Sequence, residues 1–349
     1  SSAEGSSRRA KQAGWFRSRV GTGYATVSQE TGTRGVAPMR AYPQYLRAGL
    51  CGALLAAATG ASSQQVADTA FRPDVAPAAF SPGQGPRVAI DGAHFNFHTV
   101  DERYAPFADL LRRDGFVVTG LVEKFDRSTL SAIDVLVIAN ALHERNVEEW
   151  SLPTPSAFTP EEIEAVSGWV NDGGALLLIA DHMPFGGAAA DLASALGFSF
   201  TNGYASRPVS TRGTLVFSRS DDSLQDHPIA RGRNSGEIVQ SVMTFTGQAF
   251  SATDGRALFV LPEDAFLWMP TTAGEITPQT PRVPAGGLLQ GATVELGRGR
   301  VAAFGEAAMF SAQLAGPDQV PMGMNALGAE RNAQLVLNVV RWLVGLIPE

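Results

Sequence analysis

A single cysteine in 349 residues excludes an internal disulfide framework and any cysteine-rich zinc or iron–sulfur centre. Positive charge is also in short supply. Lysine and arginine total 27 against 34 aspartate and glutamate, a formal net charge of -7, so the chain lacks the concentrated basic face that a nucleic-acid binder uses to neutralise phosphates. The apolar run Ala48–Ala58 is too short to cross a bilayer. The phosphate loops GxxxxGK[ST] and GxGxxG are missing, and so is the GxSxG elbow of the usual α/β-hydrolase serine site. What is present is an ordinary globular composition, 44% hydrophobic with 37 glycines and 21 prolines, and a length that suits one large α/β domain preceded by material that does not fold.

Charge divides the chain. Residues 1–85 carry 9 basic against 4 acidic side chains, which leaves 18 against 30 beyond them. Within the basic part, Met39 is followed by Arg40 and Arg47, the apolar run, and Thr59-Gly60-Ala61. That order of basic, apolar and small residues reads as a secretory signal peptide over 39–61, with a mature chain that begins near Ser62 and is periplasmic or secreted. Residues 1–38 show no hydrophobic periodicity and read as a non-native or disordered extension. Residues 62–86, rich in Pro, Ala and Ser, read as a disordered linker, and 87–349 as a single α/β domain. Cys51 lies inside the apolar run, so export removes the only thiol and with it cysteine nucleophile chemistry.

From Arg87 onward, short β-branched runs alternate with helical periods. Arg87–Asp91, Phe116–Leu121, Asp134–Ala139 and Ala175–Ala180 read as strands, the last two as unbroken apolar runs suited to parallel strands buried on both faces. Helices are expected over Asp101–Asp114, from Thr159-Pro160-Glu161-Glu162 to Gly173, over Ala188–Leu196 and, as an amphipathic closing helix, over Ala329–Leu346. The stretch from Thr214 to Leu261 reads as added strands, and Leu288–Phe304 as a hairpin turning at Gly297-Arg298-Gly299. This order predicts a doubly wound, mostly parallel flavodoxin-like sheet with added strands.

In such a sheet the loops at the carboxyl ends of the strands converge on one edge, where ligands bind. The polar residues sit in those loops. Asp91, His94 and His98 follow the first strand; Asn140, His143, Glu144 and Arg145 the third; Asp181 and His182 the fourth; Glu306 a late one. We expect His94, His143, Asp181, His182 and Glu306 to share one pocket. His182, Asp181, His143 and Glu306 are the candidate catalytic groups, with Asp181 placed to orient one ring nitrogen of His182. Arg145, Asn140 and Glu144 are candidates for substrate binding, Arg145 for an anionic group. Asp91, His94 and His98 are candidate ligands of a divalent cation such as zinc, although no spacing matches a diagnostic zinc motif. His227, in Asp226-His227-Pro228-Ile229, reads as a turn residue that caps nearby backbone.

The strand order, the strand–turn–helix at Leu176–Ala189, the Asp226-His227-Pro228-Ile229 turn and the closing Gly305-Glu306 together resemble the class I glutamine amidotransferase-like fold. The closer resemblance is to its cysteine-less branches, trehalose-utilisation-type proteins and exported gliding- or transport-related proteins, over about Arg87–Leu346. Members with amidotransferase activity carry a nucleophilic cysteine at the sharp turn, supported by a histidine and a late glutamate. Here Asp181-His182 occupies the turn and Glu306 matches the late acid, so the resemblance implies the pocket's place without glutamine hydrolysis. Two readings follow. One is an exported hydrolase-type or lyase-type enzyme on a small polar, carbohydrate-derived or related substrate, with a histidine–carboxylate or metal-assisted site. The other is a non-catalytic ligand-binding or assembly module of the cell envelope. Neither involves nucleic acid or stable membrane insertion after signal removal, and both leave a homo-oligomer open.

Overall fold

The computed structural model describes residues 65–208 and 213–348; the signal peptide and the upstream extension fall outside them. In chain order the first elements are β1 (Gln65–Ala67), β2 (Arg87–Asp91), α1 (Ala105–Arg113), β3 (Val117–Leu121), α2 (Arg127–Ser131), β4 (Val135–Ala139), α3 (Pro160–Asn171) and β5 (Ala175–Ile179). Every residue of β4 and β5 is buried, as a strand covered on both faces requires. Helix α3 starts at a capping box: the Thr159 hydroxyl accepts from the Glu162 amide at 3.3 Å while the Glu162 carboxylate accepts from the Thr159 amide at 3.0 Å.

After β5 come α4 (Phe185–Ala188), α5 (Ala190–Ala195), β6 (Phe198–Phe200), β7 (Tyr204–Ser206), β8 (Leu215–Ser218), α6 (Pro228–Arg231), β9 (Ser241–Thr244), β10 (Phe250–Ala252), β11 (Arg256–Val260), β12 (Phe266–Trp268), β13 (Arg282–Pro284) and β14 (Leu289–Leu296). The chain then returns to the centre in β15 (Gly299–Phe304) and finishes with β16 (Ala312–Ala315), β17 (Val320–Gly323) and α7 (Asn332–Leu343). The main sheet runs β3-β2-β4-β5-β15-β14-β10-β6, with β11 also on β14. Its first five strands are parallel, and from β14 onward pairing is antiparallel. The hairpin β14–β15 turns at Gly297-Arg298, with Leu296 paired to Gly299. Gly297 has φ +60 and a side chain there would meet Asn171, so the turn needs glycine. Small sheets β13-β12-β7, β8-β9 and β1-β16-β17 flank the main one.

Two expectations are corrected here. Residues 65–86, read as a disordered linker, are laid onto the domain. Gln65–Ala67 pairs with Ala315–Gln313, Phe71, Val75 and Phe80 pack on the core, and the Ala76 and Ala79 amides donate to Gln334 and Asp114. The closing helix, read as amphipathic, is buried along its whole length, because this N-terminal segment and the stretch from Ile229 to Glu237 together cover the face that would otherwise meet water.

The polar residues on that covered face carry the cost of burial through pairing. Arg341, fully buried, donates from Nε to Asp114 Oδ2 at 2.9 Å and from Nη2 to Asp114 Oδ1 at 2.5 Å. It also lies 3.0 Å from Glu237 and donates to the Pro77 carbonyl. Asn338 donates to the Ile229 and Glu237 carbonyls. Replacing Asp114 by Ala leaves a buried guanidinium short of its bidentate partner and is expected to cost about 3–5 kcal/mol in denaturant unfolding. The exposed Arg72–Asp109 pair at 3.5 Å gives the contrast, since Asp109→Ala should cost less than about 1 kcal/mol. Equal costs would contradict the anchoring role of Arg341.

Candidate functional site

Because β4, β5 and β15 are parallel neighbours, the residues just past their carboxyl ends fall together. Asn140 turns at φ +51, a left-handed conformation that asparagine tolerates better than most residues. Its side-chain oxygen accepts from the Asp181 amide at 2.9 Å, and its nitrogen lies 3.2 Å from His98 Nδ1. The Asp181 carboxylate accepts from the His182 amide at 2.7 Å and also engages the Ala307 amide and the Asn140 side chain. Glu306, fully buried, accepts from the Ala308 amide at 2.8 Å and the Met309 amide at 2.9 Å. The Tyr104 hydroxyl donates to the Ala307 carbonyl at 2.9 Å.

Burial raises the pKa of Asp181, against the opposing charge of His182 and its hydrogen bonds. Burial raises that of Glu306 much further, with the Asp181 charge adding to it and backbone donors opposing. Two carboxyls that share a dry site cannot both ionise as freely as either would alone, and of the two Glu306 is pushed further toward its protonated form. Tyr104 is pushed well up by burial and by the same two acids.

His182 closes the site, and only 7% of it is exposed. Its Nδ1 lies 2.7 Å from the Met183 carbonyl. A carbonyl only accepts, so Nδ1 carries a hydrogen; in the neutral ring Nε2 is then the acceptor nitrogen, and it has no hydrogen-bond partner among the described residues. The ring stacks on Tyr204 with centroids 4.2 Å apart and planes at 14°, and Phe185 and Trp150 stand 6.0 and 6.4 Å away. The Asp181 carboxylate takes the backbone amide of His182, whereas we expected it to orient the ring. The aspartate shapes the turn, and the next carbonyl sets the tautomer.

The other sequence candidates are dispersed. His94 is bridged by two carboxylates, Nδ1 to Asp91 at 3.0 Å and Nε2 to Glu162 at 2.9 Å, inside a shell of Phe125 and Phe158. Both its nitrogens are taken, so it ties the loop after β2 to helix α3. His98 faces Asn140 on one side and Gln313 on the other, with its Nε2 3.4 Å from the Gln313 side chain. Since Asn140 must donate to Nδ1, Nε2 carries the hydrogen and the Gln313 amide must turn its oxygen toward it. Burial, helped by Arg103, holds His98 well below its usual pKa. The proposed cation trio of Asp91, His94 and His98 is therefore not assembled, and among the described residues no group of three or more His, Cys, Asp or Glu side chains is placed to hold a metal ion.

His143 caps the turn Glu144–Asn146 by accepting from the Arg145 amide at 3.0 Å, while Glu144 and Arg145 are exposed. Among the described residues none of the three makes a hydrogen bond or ion pair to Asp181, His182 or Glu306. The expected single pocket thus contracts to Asp181, His182 and Glu306 with Asn140 between strands. His227 has the capping role its turn implies, accepting from the Ile229 amide at 3.1 Å, with its pKa lowered to about 3 by burial and by Arg256 and Arg231. Tyr104, Tyr204, Gln313 and the second role of Glu162 were missed. Each joins the network over a long sequence separation that no local spacing announces.

An open groove of about 740 Å³ lies at the opposite edge, where Asp134, Gly173, Ala175, Arg298 and Arg300 flank the starts of β4, β5 and β15. At the histidine edge, by contrast, Asp181, His182 and Glu306 are all buried. Size alone does not make the groove the chemical site, because its arginines are spent on backbone carbonyls, Arg298 on Asp172 and Arg300 on Trp342.

No protein-family model and no curated protein matches the chain. Among solved structures it is similar to the N-terminal domain of mmIFT52, with TM-score 0.50 and 16% identity over 74% of this chain and 97% of that one. It is also similar to a ThuA-like protein from Bacteroides uniformis, with TM-score 0.42 and 14% identity over 78% and 97%. A β-galactosidase from Bacillus circulans sp. alkalophilus gives TM-score 0.38 and 11% identity, covering 73% of this chain and 30% of that one. At these identities the likeness is one of fold. The mostly parallel α/β sheet with antiparallel additions is the fold shared with the mmIFT52 N-terminal domain.

The His94 bridge predicts a pH dependence. Burial opposes the charge on His94, but the hydrogen bonds and charges of Asp91 and Glu162 outweigh it and raise its pKa above 6.5. Its stabilisation is therefore full below 6.5 and is lost as pH rises through the folded value. Glu162 is shifted down from 4.5, its backbone and His94 hydrogen bonds outweighing burial, so its share is lost as pH falls through its folded value. Unfolding free energy should decline as pH rises above about 6.5 in the wild type and decline less in His94→Gln. Parallel profiles would contradict the bridge.

Proposed function

We propose that the carboxyl edge around His182 is the acid–base site of an exported hydrolase-type or lyase-type enzyme acting on a small polar substrate. One observation carries this reading: the Met183 carbonyl and Tyr204 hold His182 with Nδ1 as donor, which leaves Nε2 as the base of the neutral ring, one residue from the buried Asp181–Glu306 acid pair. Nε2 accepts a proton from water or substrate, and the Asp181–Glu306 pair, reached through the turn, supplies the compensating acid. Asn140 fixes the Asp181 backbone and so the direction of the turn. With no thiol at the turn, glutamine hydrolysis by the amidotransferase route is not part of this reading. Export is supported by the order of residues 39–61 alone.

A second reading, a ligand-binding or assembly module, is favoured by the way Glu306 is used. Both its oxygens accept from backbone amides, which is how a purely structural acid behaves. His182→Ala separates the two. In a panel of small esters, amides and glycosides, the enzyme reading expects wild-type turnover of at least one class, lost by about 10²–10⁴-fold in the variant, with a melting temperature shifted by less than about 3 °C. A variant that is clearly destabilised yet equally active, or a wild type inert to every class, overturns it.

A further inference from the structure

One irregular segment is attached to the neighbours of His182. Between β12 and β13 the chain leaves the small sheet at Trp268 and rejoins it at Arg282, and the thirteen intervening residues form a strap. Its foot is closed by the Met269 amide on the Pro281 carbonyl at 2.9 Å. Connections of this length without regular structure are commonly binding or covering elements. Met269 packs against the core and Pro270 is buried, so the strap is rooted at its start, and beyond them it is held by a few hydrogen bonds. The Leu152 amide donates to the Thr271 carbonyl at 2.9 Å and the Ala273 amide to the Trp150 carbonyl at 2.7 Å. Ser151 and Thr272 form an isolated antiparallel bridge. The Gly274 amide donates to the Tyr204 hydroxyl at 3.1 Å. Beyond these contacts, residues 274–279 are exposed, Ile276 to 42%.

The points of attachment are the neighbours of His182. Tyr204 stacks on its ring, and Trp150 stands beside it. The Tyr204 hydroxyl also lies 3.4 Å from the Met183 carbonyl, the acceptor that fixes the His182 tautomer. β7 and β12 pair with Tyr204 opposite Trp268, so the latch residue and the foot of the strap ride on one small sheet.

We propose that residues 269–281 are a lid over His182, latched by the Tyr204 hydroxyl, and that Tyr204 is a positioning residue which reports lid closure to the His182 ring. The inference deepens the acid–base reading, since a lid matters only if His182 meets a substrate. A few backbone hydrogen bonds, without apolar packing beneath residues 274–279, make local opening the low-energy excursion in this region. Opening uncovers Nε2, and closing excludes water from the acid pair.

Diethyl pyrocarbonate tests the lid without any substrate, because unprotonated imidazole nitrogen attacks the anhydride and labels the ring at a rate set by access. Labelling of each histidine is read by mass spectrometry of peptides from the full chain, in a Cys51→Ser background, with His143 outside the lid as internal control. Ser151→Cys with Thr272→Cys, oxidised to a disulfide, should slow labelling of His182 at least about tenfold, and reduction should restore it. Tyr204→Phe keeps the stacking ring and removes the latch, and should speed labelling of His182 about fivefold, the worth of one hydrogen bond, leaving His143 unchanged. If Tyr204 served packing alone, the phenylalanine variant would label like wild type. Unchanged His182 labelling in Tyr204→Phe and in the verified disulfide form overturns the lid. The acid–base reading stands or falls separately on turnover in His182→Ala.

Discussion

Five consecutive parallel partners, from Ala175 with Arg300 to Ile179 with Phe304, join two runs separated by more than a hundred residues of inserted strands. On this pairing depends the meeting of Asp181 with Glu306, each just past its own strand end. The inserted antiparallel region leaves the centre after β5 and must bring the chain back beside it, and the β14–β15 hairpin does so. Parallel register then fixes which loops share an edge, since every parallel strand delivers its carboxyl end to the same side. A one-residue slip would turn the alternate side chains of a fully buried strand into the wrong layer.

That edge is made of buried polar groups, and each is held by a partner that burial makes expensive to lose. They divide into two kinds. The Asp91–His94–Glu162 bridge closes on itself: opposite charges satisfy each other and leave no nitrogen for chemistry. The Asp181–Glu306–His182 group stays open. Two acids crowd together, each made harder to ionise by burial, and one ring nitrogen of His182 remains without a hydrogen-bond partner among the described residues. Perturbed acids of this kind also occur as structural elements, and the backbone amides on Glu306 show that it stitches its own loop. The free nitrogen of a tautomer fixed from behind is what separates a working site from a structural one.

Much of the frame is legible in the sequence. Val135–Ala139 and Ala175–Ile179 announce themselves as unbroken apolar runs, Thr159-Pro160-Glu161-Glu162 carries its own cap, and Gly297-Arg298 marks the hairpin. The residues that converge at the edge were found because each directly follows such a run. What sequence did not yield depends on distant partners. Pro- and Ala-rich residues 73–86 have no periodicity, yet they stay in place because Asp114, Gln334 and Arg341 accept or donate to their backbone. The closing helix has the pattern of a half-exposed helix, and it is buried because residues 76–77, Asp114 and the stretch from Ile229 to Glu237 together cover it. His94 and His98 sit at a strand end exactly as ligands would, but Glu162 and Gln313 reach them from 68 and 215 residues away, which no spacing rule anticipates. Three-residue strands such as Phe198–Phe200 and Arg282–Pro284 are too short to show alternation.

The account turns on the state of one ring. Long-range ¹H–¹⁵N spectra of ring-labelled protein, assigned with His182→Gln, give the tautomer of His182 directly. The hydrogen bond to the Met183 carbonyl requires a proton on Nδ1, and the acid–base reading requires that the neutral ring be this tautomer, with Nε2 bare. A protonated Nε2 with a bare Nδ1 would mean that the Met183 carbonyl does not set the ring, and the base at the centre of this site would be lost.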